Sequence, residues 1–216
     1  MSLIKVRNKM TKIMWKTNQV ISIETKCKDE NRETNIYVLA QMIGKAELLV
    51  FNMFNTDNNW EGIDLKKVPI LFCTTVTRQF IKNSNIFKQN LKGLANYEPP
   101  RCKIDSLGTG SRYVTVWEGT PEEKKILILG QGGGRLIEKD MSSGGYVEKI
   151  IIPSIDKTDL ETINKYELTN VRIYAEFNER LYLCYKMNKN VDPMKDLIFD
   201  LPIPLEYKEY IGIISS

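Results

Sequence analysis

The run Ile36-Tyr37-Val38-Leu39-Ala40-Gln41-Met42-Ile43 stops at Gly44-Lys45, and a second apolar run, Leu48 to Phe54, begins just beyond. Short apolar runs bounded by turn residues read as buried strands. A glycine leading a two-residue connection suits a type II′ hairpin. The pair therefore predicts two antiparallel strands in direct succession. Val20-Ile21-Ser22-Ile23 reads as a strand before them, with the polar stretch Lys26 to Asn35 as the hairpin loop. Ile70 to Val76 reads as a strand after them, beyond the polar loop Asn55 to Lys67 and Pro69. Such a series predicts a curled antiparallel sheet or a small SH3-like barrel in the first half.

The middle of the chain carries weaker signals. A short helix is expected around Arg78–Lys82. Pro99 disfavours helix at Glu98. Leu107-Gly108-Thr109-Gly110-Ser111 is a flexible join, which suggests lobes 1–106 and 107–216 or one continuous domain with a long loop. Beyond it, Tyr113–Trp117 and Lys125–Leu129 flank the turn residues Gly119 to Glu122, and Val147–Ile152 reads as another strand. Thr158-Asp159-Leu160-Glu161 fits a capping box opening a helix to about Tyr166. Val171–Phe177 and Arg180–Met187 are expected to form a hairpin across Asn178-Glu179, Leu197–Phe199 a last strand, and Leu205–Ile211 a terminal helical turn. The expected fold class is α+β and β-rich, with one or two short helices in the second half.

The 216 residues contain no histidine. Histidine is the commonest catalytic base and metal ligand near neutral pH. Its absence removes Ser-His-Asp and Cys-His nucleophile systems, HExxH zinc sites and His-rich metal centres. Cys27, Cys73, Cys102 and Cys184 show no CxxC spacing, which argues against a zinc ribbon or a dithiol redox motif. Cys73 and Cys184 lie inside apolar runs and read as core. Neither a metal nor a cofactor is expected.

Net charge is +4. Basic residues outnumber acidic ones in residues 1–100, and the reverse holds in 101–216. This mild asymmetry is not a nucleic-acid tail. No apolar stretch approaches the roughly 20 residues of a membrane span. The N-terminal residues lack the continuous apolar core of a signal peptide. A cytoplasmic protein is expected.

Gly130-Gln131-Gly132-Gly133-Gly134-Arg135 invites a dinucleotide-binding reading. Arg135 breaks the fingerprint, and the segment after it is too short for a crossover helix. A plain glycine loop is the expectation. No P-loop motif occurs. Carboxylates cluster in polar loops: Asp57, Glu61 and Asp64; Glu118, Glu122 and Glu123; Asp192, Asp196 and Asp200. A carboxylate-only hydrolase would need two of them to converge. Acidic loops also speed docking of a basic partner. Trp60, in an otherwise polar loop, either tucks onto the core or stands out as a binding anchor. Tyr174, Phe177, Tyr182 and Tyr185 alternate with basic residues, but alternating aromatics in a hairpin usually pack a core.

Trp15-Lys16-Thr17-Asn18-Gln19-Val20-Ile21-Ser22-Ile23 resembles the opening motif of the immunity protein 26 family, from bacterial polymorphic-toxin and contact-dependent inhibition systems. Tyr37–Met42, Leu49–Phe54 and Pro69–Val76 resemble the family's next three strands. The resemblance covers about residues 15–103. Asn18-Gln19 replaces the family's Gly-Asp. It implies a non-enzymatic protein that binds a cognate toxin domain and holds it inactive. Partner contacts are then expected at Asp57, Trp60, Glu61 and Asp64, and at Glu118, Glu122 and Glu123. A β-barrel nucleic-acid-binding module using the basic first half is the alternative, with a His-free hydrolase behind it.

Overall fold

The computed structural model describes residues 13–25, 35–44, 46–91, 93, 95, 97–107, 112–116, 125–130, 132–140 and 147–215. Its first layer is an antiparallel sheet in the order β4-β3-β2-β1-β5. The strands are β1 (Val20–Thr25), β2 (Ile36–Ile43), β3 (Glu47–Asn55), β4 (Ile70–Thr75) and β5 (Ile86–Lys88). The outer strands β4 and β5 do not pair, so the sheet is open and curled, not a closed barrel. Register shifts between Val38 and Ala40 and between Val50 and Phe51 mark bulges. Bulges bend a strand and increase its twist. At the β2–β3 turn, Gly44 has φ +39°, a region that its missing Cβ leaves open.

Side chains alternate across these strands, and both faces are covered. Ile21, Ile23, Val38, Ala40, Met42, Val50 and Phe72 point into the main core. Val20, Leu39 and Phe51 point the other way, under Trp60, Leu65 and Val68. Double burial explains why the runs read as continuously apolar.

α1 (Arg78–Asn83) is capped by Thr77, whose hydroxyl accepts the Phe80 N–H at 3.1 Å. A second antiparallel sheet follows in the order β10-β9-β6, from β6 (Cys102–Ser106), β9 (Gly134–Asp140) and β10 (Val147–Ile155). β7 (Arg112–Val116) and β8 (Lys125–Leu129) form a separate two-stranded ribbon, as the sequence suggests. The C-terminal part is helical: α2 (Leu160–Lys165), α3 (Glu176–Met187), α4 (Pro193–Ile198), a 3-10 turn at Leu205–Tyr207 and α5 (Lys208–Ile214).

Two expectations fail here. The hairpin across Asn178-Glu179 is instead the continuous helix α3, and the strand at Leu197–Phe199 is the end of α4. α3 lays Phe177, Leu181 and Cys184 on one stripe against the first sheet. Phe177 meets Phe72 and Phe80 edge-on, with centroids 6.1 and 5.0 Å apart. Full burial of such side chains stabilises the fold by about 1.5–3 kcal/mol each. The α2 cap falls one residue late: Asp159 accepts the Thr162 N–H, while the Thr158 hydroxyl bonds Asp156. β5, β6 and β9 have no counterpart in the sequence reading.

Residues on both sides of the 106/107 join meet in the main core, from Ile21 through Val116 and Leu127 to Ile211. The segment 167–173 ties the sheets together. Ile104 N–H donates to Glu167 O at 2.9 Å, and Thr169 N–H to Ile104 O at 2.8 Å. Further along, Arg172 N–H donates to Thr75 O at 2.8 Å, and Thr77 N–H to Arg172 O at 2.9 Å. One stretch of backbone thus bridges in parallel to β6 at Ile104 and to Val76, just past the end of β4.

Candidate functional site

The loop after β3 carries four of the residues expected at a partner interface. Trp60 is 4% exposed and packs on Leu39 and Phe51. Its indole N–H donates to Asn58 Oδ1 at 2.8 Å, and the same oxygen accepts from Ser22 and Gln89. Asn58 thus pins the loop to the sheet, and Trp60 is its buried foot. Asp57, Glu61 and Asp64 lie exposed on the outside of the loop. Asp64 accepts the Lys66 N–H and stands 3.8 Å from Lys67. The loop therefore separates Trp60 from the acidic surface the sequence grouped it with. Glu118, Glu122 and Glu123 lie outside the described residues.

The chemistry-bearing side chains instead gather inside the protein, around the 167–173 segment. Arg180, fully buried in α3, sends Nη1 to Glu167 Oε2 at 2.8 Å and Nη2 to Glu167 Oε1 at 3.0 Å. Its Nε donates to Val191 O at 2.9 Å, and its guanidinium lies 4.0 Å from the Phe72 ring centre. Arg172 bonds Glu176 at 3.2 Å and pairs with Asp192, which also faces Arg180 at 3.4 Å. Tyr210 donates to Glu176 at 2.5 Å. Lys195 donates to the carbonyls of Ile163 and Tyr166, both at 2.8 Å.

Burial and pairing oppose each other in this cluster. Burial pushes the Glu167 carboxyl up, but the Arg180 and Lys195 charges outweigh it and hold the pKa at about 2. Burial pulls Arg172 and Arg180 down, and their carboxylate partners push both above the ordinary arginine value. Lys195 is lowered by burial, with Glu167 opposing. Asp196 is raised by burial, although the Tyr207 hydroxyl bonds it at 2.9 Å. The two-bond fork between Arg180 and Glu167 gives each of these charges a partner in place of water. This arrangement fastens α3 and α4 to the sheet connector.

A cavity of about 110 Å³ opens beside Glu167, lined also by Cys73, Tyr97, Cys102, Lys103 and Asn190. Burial, with Glu47 assisting, pushes the Cys73 thiol up to about 12. A neutral buried thiol is a poor nucleophile. Burial likewise lifts Cys184 to about 11. Among the described residues no cluster of three or more Cys, Asp or Glu side chains is set to hold a metal. The glycine-rich run follows one antiparallel strand and leads into another, so it has no βαβ context. A Cβ on Gly134 would stand 2.7 Å from Ile104 Cγ2, so this glycine serves close packing.

The ribbon β7–β8 presents a different surface. Val116 and Leu127 on its inner face are buried, whereas Tyr113, Ile126 and Ile128 on its outer face are 72%, 60% and 65% exposed. Tyr113 lies opposite Ile128, and Thr115 opposite Ile126, so the apolar side chains are neighbours. Arg112 anchors the ribbon, bonding Asp200 at 2.5 Å and Leu197 O at 3.0 Å. The alternation Ile126, Ile128 against Leu127, Leu129 was visible in the sequence. What it lacked was any sign that nothing covers the outer face among the described residues.

These elements define a strand-rich α+β protein of antiparallel sheets, with an internally neutralised charge cluster and an exposed apolar ribbon. Residues 10–202 match the family model described as "Domain of unknown function (DUF8309)", and the chain belongs to that family. The match runs through the 106/107 join. No curated protein and no solved structure matches the chain. Among the described residues, no helix is long and apolar enough to cross a membrane.

Proposed function

We propose that this protein is a cytoplasmic bacterial immunity protein, which binds a cognate toxin domain stoichiometrically and carries out no reaction of its own. The observation that carries the reading is the outer face of the ribbon. Three large apolar side chains on adjacent strands, each more than half exposed, favour protein–protein contact. The resemblance over residues 15–103 supplies the kind of partner. The exposed Asp57, Glu61 and Asp64 sit on the loop that covers the other face of the first sheet from the ribbon, where they suit the steering of a basic toxin. The buried ionisable groups support a non-enzymatic role, because Glu167, Arg172, Glu176, Arg180 and Asp192 pair with one another and backbone carbonyls hold Lys195. Glu167 is the one carboxylate lining either described cavity.

Protection at low concentration calls for a Kd on the order of nanomolar or below. A preformed face of about 800 Å² per partner with a few buried anchors is the usual means. The test is growth rescue. The C-terminal domain of the reading frame directly upstream is induced in a test strain, with and without this protein. Relief of arrest, together with co-elution of the two proteins as one complex, is the expected result. Arrest without rescue, or the absence of any complex with that domain, overturns the immunity reading.

A further inference from the structure

We infer that the partner enters as an extended strand that pairs with the free edge of β8. The inference rests on the proposed partner-binding role and states how that binding is made. In the ribbon, β8 has β7 on one side and no strand on the other among the described residues. A groove of about 250 Å³ lies along it, touched by four consecutive residues, Leu127 to Gly130. Successive side chains of a strand point to opposite faces. The groove is touched by the inward Leu127 and Leu129, by the outward Ile128 and by Gly130 just past the end of the strand, so it runs beside the strand and not over one face of the ribbon. No β7 residue lines the groove, so the edge is the one turned away from β7.

The occupant's chemistry follows from the walls. The far wall is Asn170, Met194, Ile198 and Ile214, with Ser106 completing the lining. No lining side chain is charged. A helix, about 10–12 Å across and with its backbone already paired, does not satisfy a strand edge. An extended segment supplies N–H and C=O groups at the spacing β8 requires, the usual mode of strand addition. Its inward side chains meet Met194, Ile198 and Ile214, and its outward ones widen the patch of Tyr113, Ile126 and Ile128. Lys125, exposed two residues before the lining begins, adds a charge at one end. The fitting partner segment is therefore apolar on both faces, uncharged along its middle, and flanked by a carboxylate at the Lys125 end. Its addition turns a marginal two-stranded ribbon into a three-stranded sheet.

The test uses the full chain and the toxic domain encoded upstream. Hydrogen exchange is measured on the free chain and on the complex, and binding is compared with that of Ile128→Asp. Ile128 is exposed, so the variant keeps its fold, which its unfolding midpoint verifies. The inference requires slowed exchange at Leu127–Gly130 in the complex and a loss of affinity of about 30-fold or more, the size of a hot-spot effect. A tight complex with unchanged exchange there, or with affinity for I128D within threefold of the parent, overturns strand addition and leaves the immunity reading standing. A free chain that is already a dimer through protected β8 amides also overturns it, because a second copy then holds the edge. Failure to form any complex overturns the immunity reading and this inference together.

Discussion

Arg180 grips Glu167 with both terminal nitrogens, at 2.8 and 3.0 Å, and so joins α3 to the segment that bridges the two larger sheets. Neither side chain can reach bulk water freely: Arg180 is fully buried and Glu167 keeps 11% of its exposure. The pair is therefore valuable mainly because each partner is expensive to leave alone. A buried ion pair adds little over apolar packing, yet removal of one partner strands the other charge.

Arg180→Leu should destabilise the protein by about 3–5 kcal/mol, because Glu167 loses its fork and Asp192 loses a second cation. Arg180→Lys should recover only a small part, since one ammonium cannot make two parallel bonds while also reaching Val191 O. Urea unfolding monitored by tryptophan fluorescence gives both values. A loss below about 1 kcal/mol for Arg180→Leu, the range of an exposed pair, would show that the cluster is solvated.

Acid should loosen the same pair. The folded pKa of Glu167 is about 2, below the ordinary value of 4.5. Between these values the unfolded chain binds more protons at this site, so stability rises with pH. The contribution is complete above 4.5 and fades as pH falls toward 2. Asp196 acts oppositely: burial raises its pKa, so the folded state holds its proton longer and loses stability as pH climbs past the ordinary value. Unfolding midpoints of the parent and Glu167→Gln, measured from about pH 2 to about pH 7, check the sign. The variant should be less stable at neutral pH and show a flatter acid limb.

How far the sequence foretold this fold depends on what each element buries. β2 and β3 were legible because both faces meet apolar neighbours and Gly44 marks the turn. α3 was not, because its buried surface includes Asn178, Glu179 and Arg180, which blur the apolar stripe of Phe177, Leu181 and Cys184. Its start, Ala175, offers no side-chain cap. α4 did carry a start signal in Pro193 at its first turn, although Asp192 before it makes no side-chain cap and pairs with Arg172 instead. The charge cluster was beyond reach: Glu167, Arg172, Arg180 and Asp192 look like solvated residues until the fold removes the water. The exposed ribbon face was equally hidden, since alternation of Ile and Leu does not say which face is covered.

Gly134→Ala should destabilise by about 1–3 kcal/mol, the range for an added methyl in a packed site. The new Cβ would lie 2.7 Å from Ile104 Cγ2, 3.0 Å from Phe199 Cζ and 3.2 Å from the Asp105 carbonyl. Gly132→Ala should be milder but not silent, because its new Cβ would stand 2.6 Å from Arg112 Nη1, a side-chain end that yields only by loosening its bond to Asp200. Thermal melts of the two variants give the order. A nucleotide-binding loop predicts a different result, in which neither change alters the melt of the free protein.

Trp60→Ala separates a core tryptophan from an anchor. The side chain is 4% exposed, packs under the loop and donates to Asn58. Truncation should lower stability by about 3–5 kcal/mol, as for other buried aromatics. Asn58 would keep its bonds from Ser22 and Gln89, so the loop should stay in place while the cluster beneath it opens. Partner affinity, measured at a temperature where the variant is folded, should change by less than about 0.5 kcal/mol. A large loss of affinity with an unchanged unfolding midpoint would mean that the loop lifts on binding and exposes the indole. Glu61→Lys is the companion variant: at an exposed position it should leave stability unaltered, and against a basic toxin it should slow association more than it speeds dissociation.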